Sequence, residues 1–344
     1  MNRRHFLAAI PALAAVVSLP GLARAQSAVG LMPLRFSLDY RVTSQTSPFF
    51  LAQSKGYYRD EGLDVTIDVG AGSVASITRV ATGAYDLALG DLSSLIEFQA
   101  KNPNSNAVKA VYQYYNRAPF AIIGRKDRGV TQDFASLAGK KVAGAAVEST
   151  RRMWPLVASH LRLDPDLFEW VTTDFAVRDN VLLRGDVDAA TYFHDSAASL
   201  FARMPQKEFS VLRYNDTGLD LYGNAILASQ SLISKRPQVV AAFLRATNRA
   251  LRETISDVSP ALAAISARDP IINVEMERAR WQIARGYIAA ADTRADGLGN
   301  VRRDLVERQV AAVSTTFKLD RPPKVKDLFD LSMLPTVAER KVRI

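Results

Sequence analysis

Cysteine is absent from this chain of 344 residues. Its absence excludes a disulfide framework, a thiolate metal site and a cysteine nucleophile. Histidine occurs only three times, and no H-E-x-x-H, G-x-S-x-G, Walker or dinucleotide-binding fingerprint is present. No apolar run after residue 25 is long enough to form a transmembrane helix. The sequence therefore offers little support for the enzyme classes that depend on these motifs.

The first 25 residues have the pattern of a cleavable export signal. A basic segment is followed by the apolar run 7–19 and by an A-x-A cleavage site at 23–25, so the mature chain is expected to begin at Gln26. The run is shorter than the roughly 20 residues that a spanning helix needs, which disfavours a membrane anchor. Arg3 and Arg4 also resemble a twin-arginine signal, and the choice between the two export routes stays open. Without a cysteine after the apolar run, a lipoprotein anchor is excluded. We therefore expect the mature protein to be located in the periplasm.

The charge balance is modestly basic. The formal net charge is +9, and removal of the signal lowers it by three, with Arg3, Arg4 and Arg24. Such a balance is compatible with anionic ligands, but it is also common for an ordinary solvated surface. No run of Lys and Arg is dense enough to indicate a nucleic-acid partner. The length favours about two domains.

Segments with strand and helix periodicity alternate along the chain. Leu63, Val65 and Ile67 alternate with polar residues, as in a strand with one solvated face, and helical spacing follows from Val74. A second set of alternating segments begins at the apolar stretch 119–124. It includes a predicted strand at 140–146 and predicted helices at 149–161, 177–183 and 194–203. A return strand at 221–229 is followed by four predicted helices, at 237–255, 260–267, 274–290 and 301–316. The alternation predicts an α/β fold with mostly parallel sheets flanked by helices.

Five stretches carry a family resemblance. They are LDYRVTSQTSPFFLAQSKGYYRDEGLDVTI, TGAYDLALGD, SLAGKKVAGAAVEST, LLRGDVDAATYF and LYGNAILAS. They resemble the periplasmic substrate-binding proteins of ABC importers in the nitrate/sulfonate/taurine and thiamine-precursor (NMT1-like) group. The resemblance implies a monomeric two-lobed type II clamshell. Lobe one would comprise 34–117 and 223–335, and lobe two 118–222. A small-molecule ligand would bind between the lobes, and the closed form would dock on an inner-membrane permease with its ATPase.

Two helix starts are candidate ligand contacts. Gly72 allows close backbone approach and Ser73 precedes a helix, although an ordinary capped turn has the same pattern. In lobe two, Ser149 and Thr150 are placed to donate to an anionic group. Arg151 or Arg152 is placed to pair with that group, the alternative being a capped helix with solvated arginines.

The end of the first predicted strand offers further candidates. By resemblance Tyr40 takes the place of a tryptophan and would stack on a flat ligand, while Asp39 would line the cleft floor. Thr46 stands where thiamine-precursor binders commonly carry a histidine, which disfavours a pyrimidine. Asp91 follows a buried strand and would either face the cleft or cap a helix. The remaining candidates are Tyr112, Phe193, His194, Tyr222 and Asn224.

These observations lead to the hypothesis of a solute-binding receptor for a small organic anion, a sulfonate or carboxylate, with an aromatic group permitted. The alternative ligand is a thiamine-precursor pyrimidine. Yeast-type pyrimidine synthases share the fold, but they carry a cysteine-rich iron motif that this chain lacks. We therefore expect a protein that is not an enzyme and has no cofactor and no metal. A LysR-type regulator uses similar lobes, but it requires a helix-turn-helix where this chain has an export signal.

Overall fold

The computed structural model describes residues 30–103 and 108–342. The predicted export signal lies outside the described residues. No helix within these ranges is both long enough and apolar enough to cross a bilayer. The strands of the described residues form two sheets of five. Strands β1 to β10 span, in order, Met32–Ser37, Leu63–Asp68, Leu87–Asp91, Val108–Gln113, Phe120–Arg125, Lys141–Gly144, Glu169–Thr172, Ala189–Phe193, Phe209–Arg213 and Asn224–Ser229.

Both sheets are mixed. The first has the order β2-β1-β3-β10-β4, and the second β7-β6-β8-β5-β9. In each sheet two strand pairs are parallel and two are antiparallel. As predicted, most strands of each sheet run the same way: among the described strands, only β10 in the first sheet and β5 in the second lie between two strands of opposite direction. The predicted α/β class with two lobes is confirmed.

Helices cover the sheets. Helices α1 to α16 span, in order, Ser47–Ser54, Tyr57–Asp60, Ser73–Ala81, Leu92–Lys101, Ser149–Arg152, Trp154–Leu161, Arg178–Arg184, Ala198–Phe201, Gln230–Lys235, Pro237–Ser256, Ser259–Arg268, Val274–Ile288, Ala291–Asp296, Arg303–Thr316, Val325–Leu328 and Val337–Arg340. The helix predicted at 149–161 is split at Met153 into α5 and α6. Pro155 explains the break, because it has no N–H to donate to the carbonyl of Arg151. The helix predicted at 194–203 is a 3₁₀ turn, His194–Ala197, followed by α8.

The first sheet packs against long helices through aromatic side chains. Phe36 of β1 contacts Phe49 of α1 and Phe243 of α10, with ring centroids 4.7 and 5.2 Å apart. All three are fully buried. Burial of such rings contributes strongly to core stability. The cluster therefore anchors β1, and with it the start of the loop that follows.

The chain crosses between the two sheets twice, at 114–119 and at 214–223. The crossings are hydrogen-bonded to each other: Ala118 N donates to Leu221 O at 2.7 Å, and Gly223 N donates to Tyr115 O at 3.1 Å. A Cβ at position 223 would lie only 3.0 Å from Tyr115 Cβ. Glycine therefore lets the two crossings pack side by side.

Candidate functional site between the two sheets

A cleft with a cavity volume of about 40 Å³ lies where the carboxyl ends of the parallel strands of both sheets meet. Ligands bind at this edge in open α/β sheets. The first sheet supplies the residues that follow β1 and β2, and the second supplies those at or after the ends of β6, β7 and β8. The lining consists of Asp39, Tyr40, Gln45, Gly72, Ser73, Glu148, Ser149, Phe175, Arg178, Phe193 and Ser196.

Aromatic rings from the two sheets meet in the cleft. Tyr40 and Phe175 approach edge to face, with centroids 4.9 Å apart and planes at 63°. Phe193 lies in the same lining and packs on Phe120, with centroids 5.5 Å apart. Because aromatic faces and edges attract flat rings, this part of the cleft suits a planar solute.

Asp39 places a carboxylate in the cleft wall. Its Oδ2 accepts a hydrogen bond from Asn224 Nδ2 at 2.6 Å, whereas its buried Oδ1 has no partner among the described residues. Burial raises the pKa of Asp39 to about 6, and the bond from Asn224 opposes that shift. The arrangement leaves one acceptor free for a donor on a ligand.

Arg178 and Glu148 form a buried ion pair in the opposite wall. Arg178 Nη1 donates to Glu148 Oε1 at 2.9 Å, and Thr191 Oγ1 donates to Glu148 Oε2 at 2.5 Å. Arg178 Nη2 also donates to Ser196 Oγ at 3.1 Å. The guanidinium lies 3.8 Å from the centroid of the Tyr192 ring, a cation–π contact. Burial raises the pKa of Glu148, and the charge of Arg178 opposes the shift.

Two further buried carboxylates lie behind the lining. Asp91 caps α4, accepting from Ser94 N at 2.9 Å. Asp195 follows β8 and lies close to Arg280, whose Nη1 donates to the Asp195 carbonyl at 3.2 Å. Burial raises the pKa of both carboxyl groups to about 7. The cleft is therefore backed by groups that are costly to ionise.

Direct contacts join the two lobes beside the cleft. Arg152 Nη2 of α5 donates to both carboxylate oxygens of Glu97 in α4, at 2.8 and 2.9 Å. Gly72 has a φ of +102°, and a Cβ there would lie 3.2 Å from the carbonyl oxygen of Val147. Glycine at 72 thus permits both the backbone conformation and the close approach of the second lobe.

The structure brings six of the predicted site residues into the lining. They are Asp39, Tyr40, Gly72, Ser73, Ser149 and Phe193. Asn224 lies outside the lining but holds Asp39 in place. Asp91 has the capping role that was the alternative for it.

The other predicted residues have different partners. Thr46 is fully buried, and its hydroxyl donates to Thr43 O at 2.9 Å. Tyr112 donates to Asn248 Oδ1 at 3.0 Å within the core. Thr150 Oγ1 donates to the Tyr192 carbonyl at 3.1 Å.

The remaining candidates also lie outside the cleft lining. Arg151 Nη1 donates to Gly144 O at 2.8 Å and to Thr172 Oγ1 at 2.9 Å, both within lobe two. His194 Nδ1 is 2.9 Å from Tyr287 Oη, and burial lowers its pKa to about 4. Tyr222 Oη accepts from the backbone N–H of residue 302 at 2.8 Å.

Sequence reasoning missed five lining residues. They are Gln45, Glu148, Phe175, Arg178 and Ser196. Gln45 precedes the predicted candidate Thr46, and Glu148 precedes Ser149. The sequence thus identified both loops but missed one lining residue in each. Arg178 starts α7, and the only signal that pointed to it was the position of this helix after a predicted strand.

A metal centre is not built from the side chains described. Within 30–103 and 108–342, no three His, Asp or Glu residues are grouped so that they would hold a metal ion. The chain also has no cysteine. The cysteine-rich iron motif that the resemblance attaches to the yeast-type synthases therefore does not fit these residues.

Two mixed five-stranded sheets, joined by two crossings and separated by a cleft, define the periplasmic binding protein fold. A solved structure with this fold is the putative sulfonate ABC transporter, periplasmic sulfonate-binding protein SsuA, from Methylobacillus flagellatus. It is 15% identical, with a TM-score of 0.61, over 88% of this chain and 92% of that chain. A family model described as NMT1/THI5 like matches residues 43–260, and the chain belongs to that family. The predicted family is confirmed.

Curated relatives extend the comparison. The 4-amino-5-hydroxymethyl-2-methylpyrimidine phosphate synthase of Aspergillus parasiticus is 23% identical over 283 residues, which cover 79% of each chain. The riboflavin-binding protein RibY of Chloroflexus aurantiacus is 24% identical over 248 residues, covering 66% of this chain and 64% of that protein. The expectation that this chain is not an enzyme is wrong on this comparison, because relatives matched over most of its length carry an enzyme name.

Proposed function

We propose that the chain is a periplasmic solute-binding protein that captures a planar ligand between its lobes and delivers it to an ABC permease. The observation that carries the proposal is the cleft itself. It is lined by residues that follow strands of both sheets, and Tyr40 and Phe175, one from each side, touch edge to face with ring centroids 4.9 Å apart. A ligand that contacts both walls favours closure, because it binds the closed form better than the open one.

The ligand class that fits the cleft is a nitrogen heterocycle with N–H donors. Asp39 presents a buried carboxylate oxygen that has no partner among the described residues. An amino group or a ring N–H of such a heterocycle is a donor that this oxygen can accept. The names of two relatives, a pyrimidine phosphate synthase and a riboflavin-binding protein, both point to flat nitrogen heterocycles.

An organic anion has less support from the lining. Arg151 and Arg152 donate to other partners, and Arg178, the one arginine of the described lining, is paired with Glu148. In the sequence analysis, Thr46 in place of a histidine disfavoured a pyrimidine ligand. That argument no longer applies, because Thr46 does not line the cleft. We therefore favour the heterocycle over the sulfonate or carboxylate.

A second candidate function is pyrimidine synthesis. The enzyme name of relatives that match 79% of the chain favours it. Its test is the appearance of a phosphorylated pyrimidine when the purified protein is incubated with pyridoxal phosphate and iron. Product formation would replace transport as the main function.

The test of the proposed function is a thermal-shift screen of the purified mature protein. The panel contains aminopyrimidines, flavins, aromatic carboxylates and sulfonates. A ligand at 100 times its Kd stabilises the folded state by about 2.7 kcal/mol. We expect aminopyrimidines or flavins to raise the melting temperature. Stabilisation by anions alone would refute the ligand class.

Cell fractionation tests the location. A periplasmic protein is expected in the osmotic-shock fraction, with a mature N-terminus at Gln26. Retention of the uncleaved chain in the cytoplasm would refute export.

A further inference from the structure

The buried pair formed by Glu148 and Arg178 has the chemistry of an anion-binding site that is already occupied. We infer that Glu148 is a specificity-determining residue that excludes anionic solutes by holding the guanidinium of Arg178. The inference rests on the proposed function, since it takes the cleft as the ligand site. It goes further by naming the group that separates this cleft from an anion-binding one.

Arg178 has the features of an anion-binding residue. Its side chain is 5% exposed, and it belongs to the cleft lining. Guanidinium groups bind carboxylates and sulfonates through paired N–H donors in a fork. Here Nη1 donates to Glu148 and Nη2 to Ser196, while Nε has no partner among the described residues.

The position of Arg178 does not depend on Glu148 alone. Its guanidinium lies 3.8 Å from the Tyr192 ring centroid and 5.6 Å from that of Phe175. Cation–π contacts of this kind hold a guanidinium in place after its carboxylate partner is neutralised. Without the negative charge of Glu148, Arg178 would present an uncompensated positive charge to the cleft.

Glu148 is itself held in the position where it pairs with Arg178. Thr191 Oγ1 of β8 donates to its Oε2 at 2.5 Å, and the residue is 4% exposed. With Glu148 ionised, the lining holds two carboxylates, Glu148 and Asp39, against one guanidinium. An incoming anion must then displace a buried carboxylate that already has two hydrogen-bonding partners, which opposes its binding.

The test is the substitution Glu148→Gln, which keeps the shape of the side chain and removes its charge. Benzenesulfonate and benzoate are titrated by calorimetry into the wild type and the variant. We expect the variant to bind at least one of these anions about tenfold or more tightly than the wild type does, as for a gained charge-assisted hydrogen bond.

Two controls test whether the gain in anion affinity comes from the guanidinium of Arg178. The double variant Glu148→Gln with Arg178→Gln should lose the gain, because the guanidinium is gone. Glu97→Gln frees Arg152, another arginine held by a buried glutamate, but neither residue lines the cleft. This matched variant should gain no anion affinity. A gain that survives loss of Arg178, or that appears with Glu97→Gln, overturns the inference.

A folding defect does not leave the question open. If Glu148→Gln is unstable, its melting temperature is measured with each anion present, since a bound anion raises stability by mass action. No rescue and no binding overturn the inference. If the wild type still binds an aminopyrimidine or a flavin, the proposed function stands. If the variant gains anion binding while the wild type binds no heterocycle, the inference stands and the proposed ligand class fails.

Discussion

Replacement of Asp39 by asparagine is expected to weaken ligand binding and to stabilise the ligand-free protein at the same time. The introduced amide oxygen can still accept the bond that Asn224 now donates at 2.6 Å. The substitution would, however, turn a charged acceptor into a neutral amide. A hydrogen bond to a charged group contributes about 1.5–3 kcal/mol, so affinity for a donor-bearing heterocycle should fall roughly 10- to 150-fold.

The stability effect has the opposite sign. The pKa of Asp39 is raised from 3.8 to about 6, because burial disfavours its charged form. An acid with a raised folded-state pKa contributes stability that is fully present below pH 3.8 and is lost as the pH rises through 6. At about 1.4 kcal/mol per pH unit, the ionised carboxylate costs up to about 3 kcal/mol above pH 6. Asp39→Asn should therefore be more stable than the wild type at pH 8, and the difference should shrink towards pH 4.

Urea denaturation at pH 4, 6 and 8 measures the stability difference, and calorimetry with the aminopyrimidine or flavin found by screening measures affinity. The matched control is Asp91→Asn. That carboxylate is also buried, with a pKa raised to about 7, but it lies outside the cleft lining. Its substitution should leave affinity within about twofold. An Asp39→Asn variant with unchanged affinity, or one destabilised at pH 8, would refute the reasoning.

Three other outcomes are expected. Tyr40→Ala should weaken a planar ligand roughly three- to tenfold through loss of one aromatic contact, whereas Tyr40→Phe should stay near the wild type; equal losses for both variants in calorimetry would exclude ring contact. Arg152→Gln removes a contact between the lobes and should speed ligand release several-fold in stopped-flow measurements, while Arg151→Gln, whose bonds stay within lobe two, should not. The pKa values of Asp91 and Asp195 are raised to about 7, so the ligand-free protein should lose stability as the pH rises from 5 to 8; the buried histidine described above opposes part of this below pH 6.5. A melting temperature that rises across that range would contradict the assigned burial.

Local sequence patterns predicted most of the strands and long helices. The alternation from Leu63 corresponds to β2, in which buried and exposed residues alternate. The pairing of β10 between β3 and β4 was not predictable in this way, because periodicity reports which face is buried and not which strand lies alongside. The return strand also begins at Asn224 rather than at 221, since 221–223 belong to the crossing.

The site was predicted least well where it depends on contacts distant in sequence. Arg178 and Glu148 are 30 residues apart, and they meet only because α5 and α7 both begin at the same edge of the second sheet. The sequence places Arg151 as close to the cleft as its neighbours at the same helix start, but its side chain turns back to Gly144 and Thr172. Which of several neighbouring side chains enters a cleft is decided by the turn geometry at each helix start, and residue type alone does not specify it.

The strand order also sets the order in which the molecule is assembled during synthesis. The second sheet uses only residues within 120–213, so all of its strands are synthesised before β10 is. The first sheet lacks its inner strand until residue 229 has emerged, and α10 follows later still. Until then β3 and β4 each present an open edge, and open edges are prone to mispairing. The second sheet therefore has all of its strands before the first sheet does, and the first sheet is the one whose edges stay open longer as the chain is made.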